Sequence, residues 1–497
     1  MSMTLAPMRL DQLLVEAGAH GALMLADLRL DHRELRPEVP TAFVALRGSR
    51  LHGLAHAQAA ADAGAAAVLF DPDGADGHPL PPTVPVIAVP QLRQRLGSIA
   101  LRLFGDPQAH LCVIGVTGTN GKTSTVQLIA QALSLSGMRC ATLGTLGAGI
   151  WPALEAGERT TPDAIGIARA FAAFVAGGAR CVAMEVSSHA LEQDRVAALP
   201  FRVAVFTNLT RDHLDYHGSM AAYAAAKQKL FRWPGLRAIV SNRDDSFGAE
   251  LLSLGGAPRR IGYSVAQPPQ GEQQLGALEV LATHEGLRFV LSEGGRRLTC
   301  QTRMLGLFNA SNLLAVAGTL RALGLPLGQI AALLAQLSPV PGRMQRVSAA
   351  AEPLVVVDYA HTPDALAQAL RSVRAHTTGR LHCVFGCGGD RDRGKRPQMG
   401  AIAAELAEQL TITDDNPRSE DGAAIAAEIA AGMPAGRAVI VRDRALAIAG
   451  AVAAAAAADA VLIAGKGHEP YQEIGGRRLP FDDAAVARTA LDARRAA

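Results

Sequence analysis

Residues 116–124 read V-T-G-T-N-G-K-T-S, between the apolar run Leu111 to Val116 and a helix-like stretch from Val126 to Leu135. A strand that runs into glycines and then into a helix forms a phosphate grip, because loop N–H groups and the positive helix end face one point. Lys122 supplies a charge for terminal phosphates, and the Thr123 hydroxyl suits a bound magnesium ion. The stretch departs from the common G-x-x-x-x-G-K-[ST] pattern: Val116 stands where that pattern has its first glycine, and Gly118 comes three residues before Gly121. An ordinary glycine turn with an exposed lysine is the plainer alternative. The flanking strand and helix favour a nucleotide site.

At 497 residues the chain is too long for one core, and length alone predicts about three domains. Hydrophobic residues make up 49% and charged residues 19%, which describes a globular protein and excludes a disordered one. The net charge of +3 comes without a lysine and arginine stripe, so neither nucleic acid nor a membrane is an expected partner. Six cysteines, at 112, 140, 181, 300, 383 and 387, are too scattered for a disulfide framework and fit a reducing cytoplasm. Cys112, Cys181 and Cys383 lie in apolar runs and are expected in the core; Cys383 and Cys387 lack the second pair that a zinc site needs. Asp11 and Glu16 interrupt any export signal, and the alanine-rich run Ala445 to Ala458 is too short to span a bilayer. A cytoplasmic monomer is expected.

The predicted fold class is α/β with three domains. Residues 1–108 form a small α/β unit with strands at Thr41 to Leu46 and Ala66 to Phe70, followed by a Pro-rich stretch. Residues 109–341 form a doubly wound parallel sheet of the P-loop ATPase kind, with strands at Leu111 to Val116, Cys181 to Val186, Val203 to Thr207 and Ala238 to Ser241. A polar, hairpin-like segment at Ala277 to Gln301 and a helical region to Gln336 follow, and Pro339-Val340-Pro341-Gly342 marks a hinge. Residues 342–497 read as a Rossmann-like domain, with strands at Leu354 to Val357, Leu381 to Phe385, Leu410 to Thr413, Ala438 to Val441 and Ala460 to Ile463.

Ligands of such sheets bind beyond the carboxyl ends of the strands, and that is where the unusual polar segments fall. Glu185 ends a strand within M-E-V-S-S-H and is a natural magnesium ligand; a solvated loop carboxylate is the alternative. Asp212, His213 and Asp215 follow the next strand, with helix capping and packing equally open to them. Lys227 and Lys229 sit on one helix, and sequence physics allows either to be a surface residue. In the third domain D-Y-A-H-T-P-D, G-C-G-G-D-R-D-R-G-K-R, D-D-N-P-R and G-K-G-H-E each follow a strand. Arg391 or Arg418 can fork onto a carboxylate while Glu469 receives an ammonium, so this edge suits a zwitterion; Arg393 and Arg396 are equally consistent with salt bridges.

Taken in order, the loop G-T-N-G-K-T-S, M-E-V-S-S-H, N-L-T-R-D-H-L-D-Y-H, the Y-A-A-A-K helix, D-Y-A-H-T-P-D and G-K-G-H-E resemble the Mur ligases of peptidoglycan synthesis, ATP-dependent enzymes that form amide bonds. E-R-T-T-P-D at Glu158 to Asp163 and D-N-P-R at Asp415 to Arg418 are similar to the branch that adds the third amino acid, in its version for meso-diaminopimelate. Lysine-adding relatives lack an arginine at the position of Arg418.

The resemblance implies ATP held by Gly118, Thr119, Asn120, Gly121, Lys122, Thr123 and Ser124, and by Asn309, Asn312, Arg343 and Asp358. It implies magnesium (Mg2+) at Thr123, Glu185, His213 and a carbamylated Lys227, and catalysis by Lys122, Lys227, His213 and Glu185. The UDP-N-acetylmuramoyl dipeptide would meet Leu30, His32, Thr160, Thr161, Ser187, Gln193 and Arg195, and meso-diaminopimelate would meet Arg391, Asp415, Asn416, Pro417, Arg418, Gly465 and Glu469.

Two segments depart from the family pattern. Asp31-His32-Arg33 has an imidazole where relatives often carry D-S-R, and Ser49-Arg50-Leu51-His52-Gly53 replaces a segment like H-Q-A-D-G. Three other readings compete: a ligase using L-lysine, a folylpolyglutamate synthase, whose loop usually continues G-S after G-T-N-G-K, and a nucleotide-binding regulator without catalysis. Thr123 and D-N-P-R count against the folate enzyme, and the intact set Thr123, Glu185, His213 and Lys227 counts against the regulator.

Overall fold

A computed structural model describes residues 6–48, 51–157, 159–254, 256–349 and 351–496; Ser49, Arg50 and Glu158 lie outside the described residues. The chain divides into two compact units, Met1–Gly262 and Tyr263–Ala497.

The first unit contains two sheets. The smaller is parallel, in the order Asp27–Arg29, Thr41–Ala45, Ala67–Phe70, Val86–Ala88. In the larger, Cys112–Thr117 lies between Cys181–Glu185 and Phe201–Phe206, with Cys140–Gly144 and Ala238–Asn242 outside them, all parallel. Gly147–Ile150 then pairs antiparallel with Cys140–Gly144. Every residue of Cys181–Glu185 is buried, as expected of a strand covered by helices on both faces. The two sheets share one apolar core: the helix Leu92–Leu103 packs on Ala164–Ala176, and Arg169 reaches Asp27 at 2.6 Å.

In the second unit the segment expected to be hairpin-like is a three-stranded antiparallel meander, Gln274–Thr283, Gly286–Glu293 and Arg296–Thr302, covered by the helices Phe308–Ala322 and Leu327–Gln336. Gly286 opens the middle strand just after the first turn: its φ is +146°, and a Cβ there would lie 1.9 Å from the Thr302 carbonyl oxygen of the third strand. The last sheet runs Gln345–Arg346, Leu354–Asp358, Ala460–Ala464, Leu381–Phe385, Gln409–Ile412, Val439–Ile440, parallel except for its first strand. The expected strand at Ala438 to Val441 shrinks to two exposed residues at the sheet edge. The alanine-rich run is the helix Arg444–Ala454, as a segment packed on a sheet should be. No helix among the described residues is long and apolar enough to cross a membrane.

The cysteines are all free thiols. Cys181 and Cys383 are buried as expected, whereas Cys112 is only half-buried because it opens its strand at the sheet end.

Candidate active site

The phosphate loop is shaped by its glycines. Gly121 precedes the helix Lys122–Leu135 at φ +82°, a left-handed position that side chains avoid. Gly118 has φ +149°, and a Cβ there would fall 1.9 Å from Thr207 Oγ1. The loop is braced from the neighbouring strand end: Asn208 Oδ1 accepts from the Asn120 N–H at 2.9 Å, and the Thr207 hydroxyl donates to the Asn120 carbonyl at 2.6 Å. Lys122 folds back over the loop, its Nζ 2.8 Å from the carbonyl oxygens of Gly118 and Thr119.

Lys227 reaches the same Gly118 carbonyl, at 2.9 Å, from the helix Met220–Gln228. It is 1% exposed, its ammonium lies 4.3 Å from the centre of the Tyr223 ring, and burial together with the Lys122 charge pushes its pKa well below the ordinary value. A buried amine that loses its proton readily is a nucleophile. Lys229, two residues on, instead pairs with Glu192 at 2.8 Å on the surface. The fold thus separates two lysines that the sequence left equivalent.

Glu185 stands beside Val116 in register and is 1% exposed. Its carboxylate accepts from the Thr145 N–H at 2.7 Å and from the Thr145 hydroxyl at 3.3 Å. Thr145 also contacts the Thr160 hydroxyl at 3.1 Å, and Thr161 donates to the Glu185 carbonyl at 2.8 Å while accepting from the Ser187 N–H at 3.1 Å. Arg195 donates to the Thr161 carbonyl at 2.9 Å and to Gln193 Oε1 at 3.0 Å. Thr160, Thr161, Ser187, Gln193 and Arg195 therefore form one connected wall. Thr145, which joins it to Glu185, escaped sequence reading because it lies in a short turn between two strands that were not foreseen.

His213 is half-exposed beside Asp212 and meets the His189 ring edge-on at 5.0 Å. Tyr216 and His217 complete this aromatic group, with Tyr216 OH accepting from Gln193 at 3.1 Å. Among the described residues no three His, Cys, Asp or Glu side chains converge as a metal cluster; Glu185 and His213 are the only such residues in the expected set. A cavity of about 650 Å3 opens between the small sheet and the helix Ala164–Ala176, lined by Leu30, His32, Arg33, His56, Arg159 and Arg169. The His32 and His56 rings stack across 5.2 Å.

In the second unit, Asn312 donates to Asn309 Oδ1 at 2.7 Å. Asp358 accepts from the Met344 N–H at 2.7 Å, and Arg343 lies 4.8 Å from the Tyr359 ring centre. The D-N-P-R and G-K-G-H-E loops interlock. Asn416 donates to Glu469 Oε2 at 2.8 Å, and the Lys466 ammonium reaches Asn416 Oδ1 at 3.0 Å and Glu469 Oε2 at 3.3 Å. Arg418, with φ +54°, donates to the Gly389 carbonyl at 2.6 Å and lies 3.6 Å from Glu473. Gly465 leaves room for Asp415, since a Cβ there would meet Asp415 Oδ2 at 2.4 Å. Arg391 is exposed in the loop after Leu381–Phe385. Arg393 and Arg396 are salt-bridge residues: Arg396, fully buried, is held by Glu420 at 2.8 Å and Glu428 at 2.7 Å, and Arg393 pairs with Glu428.

Arg444 supports this edge from beneath. It is paired with Asp483 at 2.7 Å with both side chains fully buried, and it donates to the carbonyls of Asp414 and Ala464, next to Asp415 and Gly465. Glu473, Arg444 and Asp483 were missed by sequence reading, which had no local pattern to connect them, and Lys466, although inside G-K-G-H-E, was given no role.

The Mur ligase middle domain profile matches residues 116–320, and the Mur ligase glutamate ligase domain profile matches residues 342–467. The chain belongs to the Mur ligase family. This Mur ligase is 53% identical to UDP-N-acetylmuramoyl-L-alanyl-D-glutamate–2,6-diaminopimelate ligase of Xanthomonas oryzae pv. oryzae, over 97% of each chain. It is 50% identical to the protein of the same name from Pseudomonas aeruginosa, over 98% of this chain and 99% of that one. A solved structure of a ligase with this name matches with a TM-score of 0.72 at 36% identity, covering 98% of this chain and 99% of the other. Mycobacterium tuberculosis folylpolyglutamate synthase shares the fold alone, with a TM-score of 0.59 at 20% identity over 75% of this chain.

Proposed function

We propose that this Mur ligase joins meso-2,6-diaminopimelate to the D-glutamate γ-carboxylate of UDP-N-acetylmuramoyl-L-Ala-D-Glu at the expense of ATP, in peptidoglycan precursor synthesis. The observation that supports the choice of acceptor is the interlocked edge in which Asn416 donates to Glu469 while Arg418, two residues on, donates to the Gly389 carbonyl; on this reading Arg418 and Glu469 take the carboxylate and the ammonium of one amino-acid head. Diaminopimelate brings a second such head, which lysine lacks. Curated relatives of about 50% identity over nearly the whole chain support the same reading.

Carboxylate and ammonium do not condense in neutral water, so the carboxylate must first gain a leaving group. One γ-carboxylate oxygen attacks the γ-phosphorus of ATP, the bond to the β-phosphate oxygen breaks, and ADP departs. The acceptor nitrogen, having lost its proton, then attacks the acyl carbon; inorganic phosphate leaves and the nitrogen gives up a second proton. The loop N–H groups and Lys122 hold the phosphates and offset the charge on the transferring group.

The residues suit magnesium: Thr123 and Glu185 offer hard oxygen donors, Glu185 being buried with Thr145 alone, among the described residues, hydrogen-bonded to its carboxylate. Carbamylation of the Lys227 amine, once it has lost a proton, would add another carboxylate-like ligand, and His213 would serve a second ion. Magnesium bound there would neutralise phosphate charge. Leu30, His32 and the arginines of the 650 Å3 cavity suit a uridine diphosphate, with the Thr161 wall meeting the peptide. Residues 1–108, 109–341 and 342–497 would then serve the UDP substrate, ATP and the amino acid in turn, in a cytoplasmic monomer.

The test supplies ATP, magnesium, the UDP-muramoyl dipeptide and diaminopimelate, and follows ADP and the product mass. One tripeptide for each ADP is expected. ADP release without tripeptide would remove the assignment.

A further inference from the structure

We propose that Lys466 is a positioning residue that sets the charge and the hydrogen-bonding polarity of the acceptor pocket, a step that rests on the ligase reading above. Its side chain is fully buried, and a buried ammonium persists only where acceptors surround it. Those acceptors are Asn416 Oδ1 at 3.0 Å and Glu469 Oε2 at 3.3 Å, with the Tyr471 ring 5.4 Å away. Asn416 Oδ1 also accepts the Glu473 N–H at 2.9 Å. With two donors on that side, the amide oxygen must face Lys466 and the NH2 must face Glu469, where it donates at 2.8 Å.

Glu469 Oε2 is thereby used by two donors, while Oε1 has no hydrogen-bond partner among the described residues. Asp415 Oδ2, buried where the Glu469 carboxylate is partly exposed, is likewise without a partner. The network therefore leaves two carboxylate oxygens free to accept, one buried on Asp415 and one on the partly exposed Glu469, near one buried cation. Lys466 cancels one of the two carboxylate charges and leaves a single negative charge, which matches one incoming ammonium. Without it, the charges of Asp415 and Glu469 would lack this counter-ion, and the Asn416 amide would be free to flip.

The test compares the wild type with Lys466→Met and Lys466→Gln. The expected result for Lys466→Met is a KM for diaminopimelate raised about ten- to a hundredfold, the range for losing hydrogen bonds to charged groups, with the KM for ATP and for the UDP-dipeptide unchanged. Lys466→Gln, which keeps an NH2 donor, should recover part of that loss. A double-mutant cycle with Glu469→Gln keeps the proposal decidable if Lys466→Met does not fold, because the double variant leaves no Glu469 charge unpaired. Non-additive effects on the acceptor KM are expected between Lys466→Gln and Glu469→Gln. Equal changes in all three KM values, additive effects, or an unchanged acceptor KM would overturn the proposal. A wild type that makes no tripeptide would instead overturn the ligase reading itself.

Discussion

The phosphate loop and the acceptor edge are built on opposite principles. The loop at 116–124 is contiguous, made largely of backbone groups, and shaped by two glycines whose conformations admit little else. The proposed acceptor edge gathers side chains from loops some fifty residues apart, such as Asn416 and Glu469, over a fully buried pair, Arg444 and Asp483. A loop of the first kind recognises what all nucleotides share. An edge of the second kind can be retuned one side chain at a time, which is why we place the choice of acceptor there.

The largest expected effect divides Lys227 from Lys229. Lys227→Ala should lower the turnover rate by about 10²- to 10³-fold, the scale for removing one electrostatic group from a phosphoryl-transfer site, with partial recovery in a short carboxylic acid. Lys229→Ala, at the surface, should leave turnover unchanged; full activity of Lys227→Ala would remove Lys227 from the proposed catalytic set. On the acceptor side, Arg444→Ala leaves Asp483 buried and unpaired. Thermal unfolding should register a loss of about 3–5 kcal/mol, whereas Arg393→Ala, in an exposed pair, should leave the midpoint in place.

Arg418→Ala sharpens the contrast by touching one substrate only. Steady-state kinetics should show the KM for diaminopimelate rising about ten- to a hundredfold and the preference over lysine lost, while the KM for ATP holds. The smallest effect is in pH. Burial, with help from Arg343, pushes His468 down to about 4, so the folded protein holds it neutral while the unfolded chain takes up a proton below about 6.5. Unfolding then binds a proton, so this histidine's contribution to stability is present above about pH 6.5 and is lost as pH falls towards 4. Denaturant titrations of wild type and His468→Gln across that range should converge in slope if another group is responsible.

The same contrast explains what the sequence made legible. Gly118, Gly121 and Lys122 were readable because loop, strand and helix adjoin, and long apolar strands such as Cys181–Glu185 were readable because burial on both faces leaves an unbroken apolar run. Cys140–Gly144 and Gly147–Ile150 were not foreseen; glycines at 144, 147 and 149 hide the strand pattern. Lys227 differed from Lys229 only once tertiary packing buried one and paired the other. Arg418, Asn416 and Glu469 gained their roles from resemblance, whereas Lys466, Glu473 and Arg444 emerged only when separated loops were brought together.

The most direct measurement offers diaminopimelate, L-lysine and glutamate together, in equal amounts, to the protein with ATP, magnesium and the UDP-muramoyl dipeptide, and identifies the products by mass. The diaminopimelate tripeptide is expected as the dominant product, with one ADP formed for each; a lysine or glutamate adduct in equal or greater amount would contradict the assignment of the acceptor.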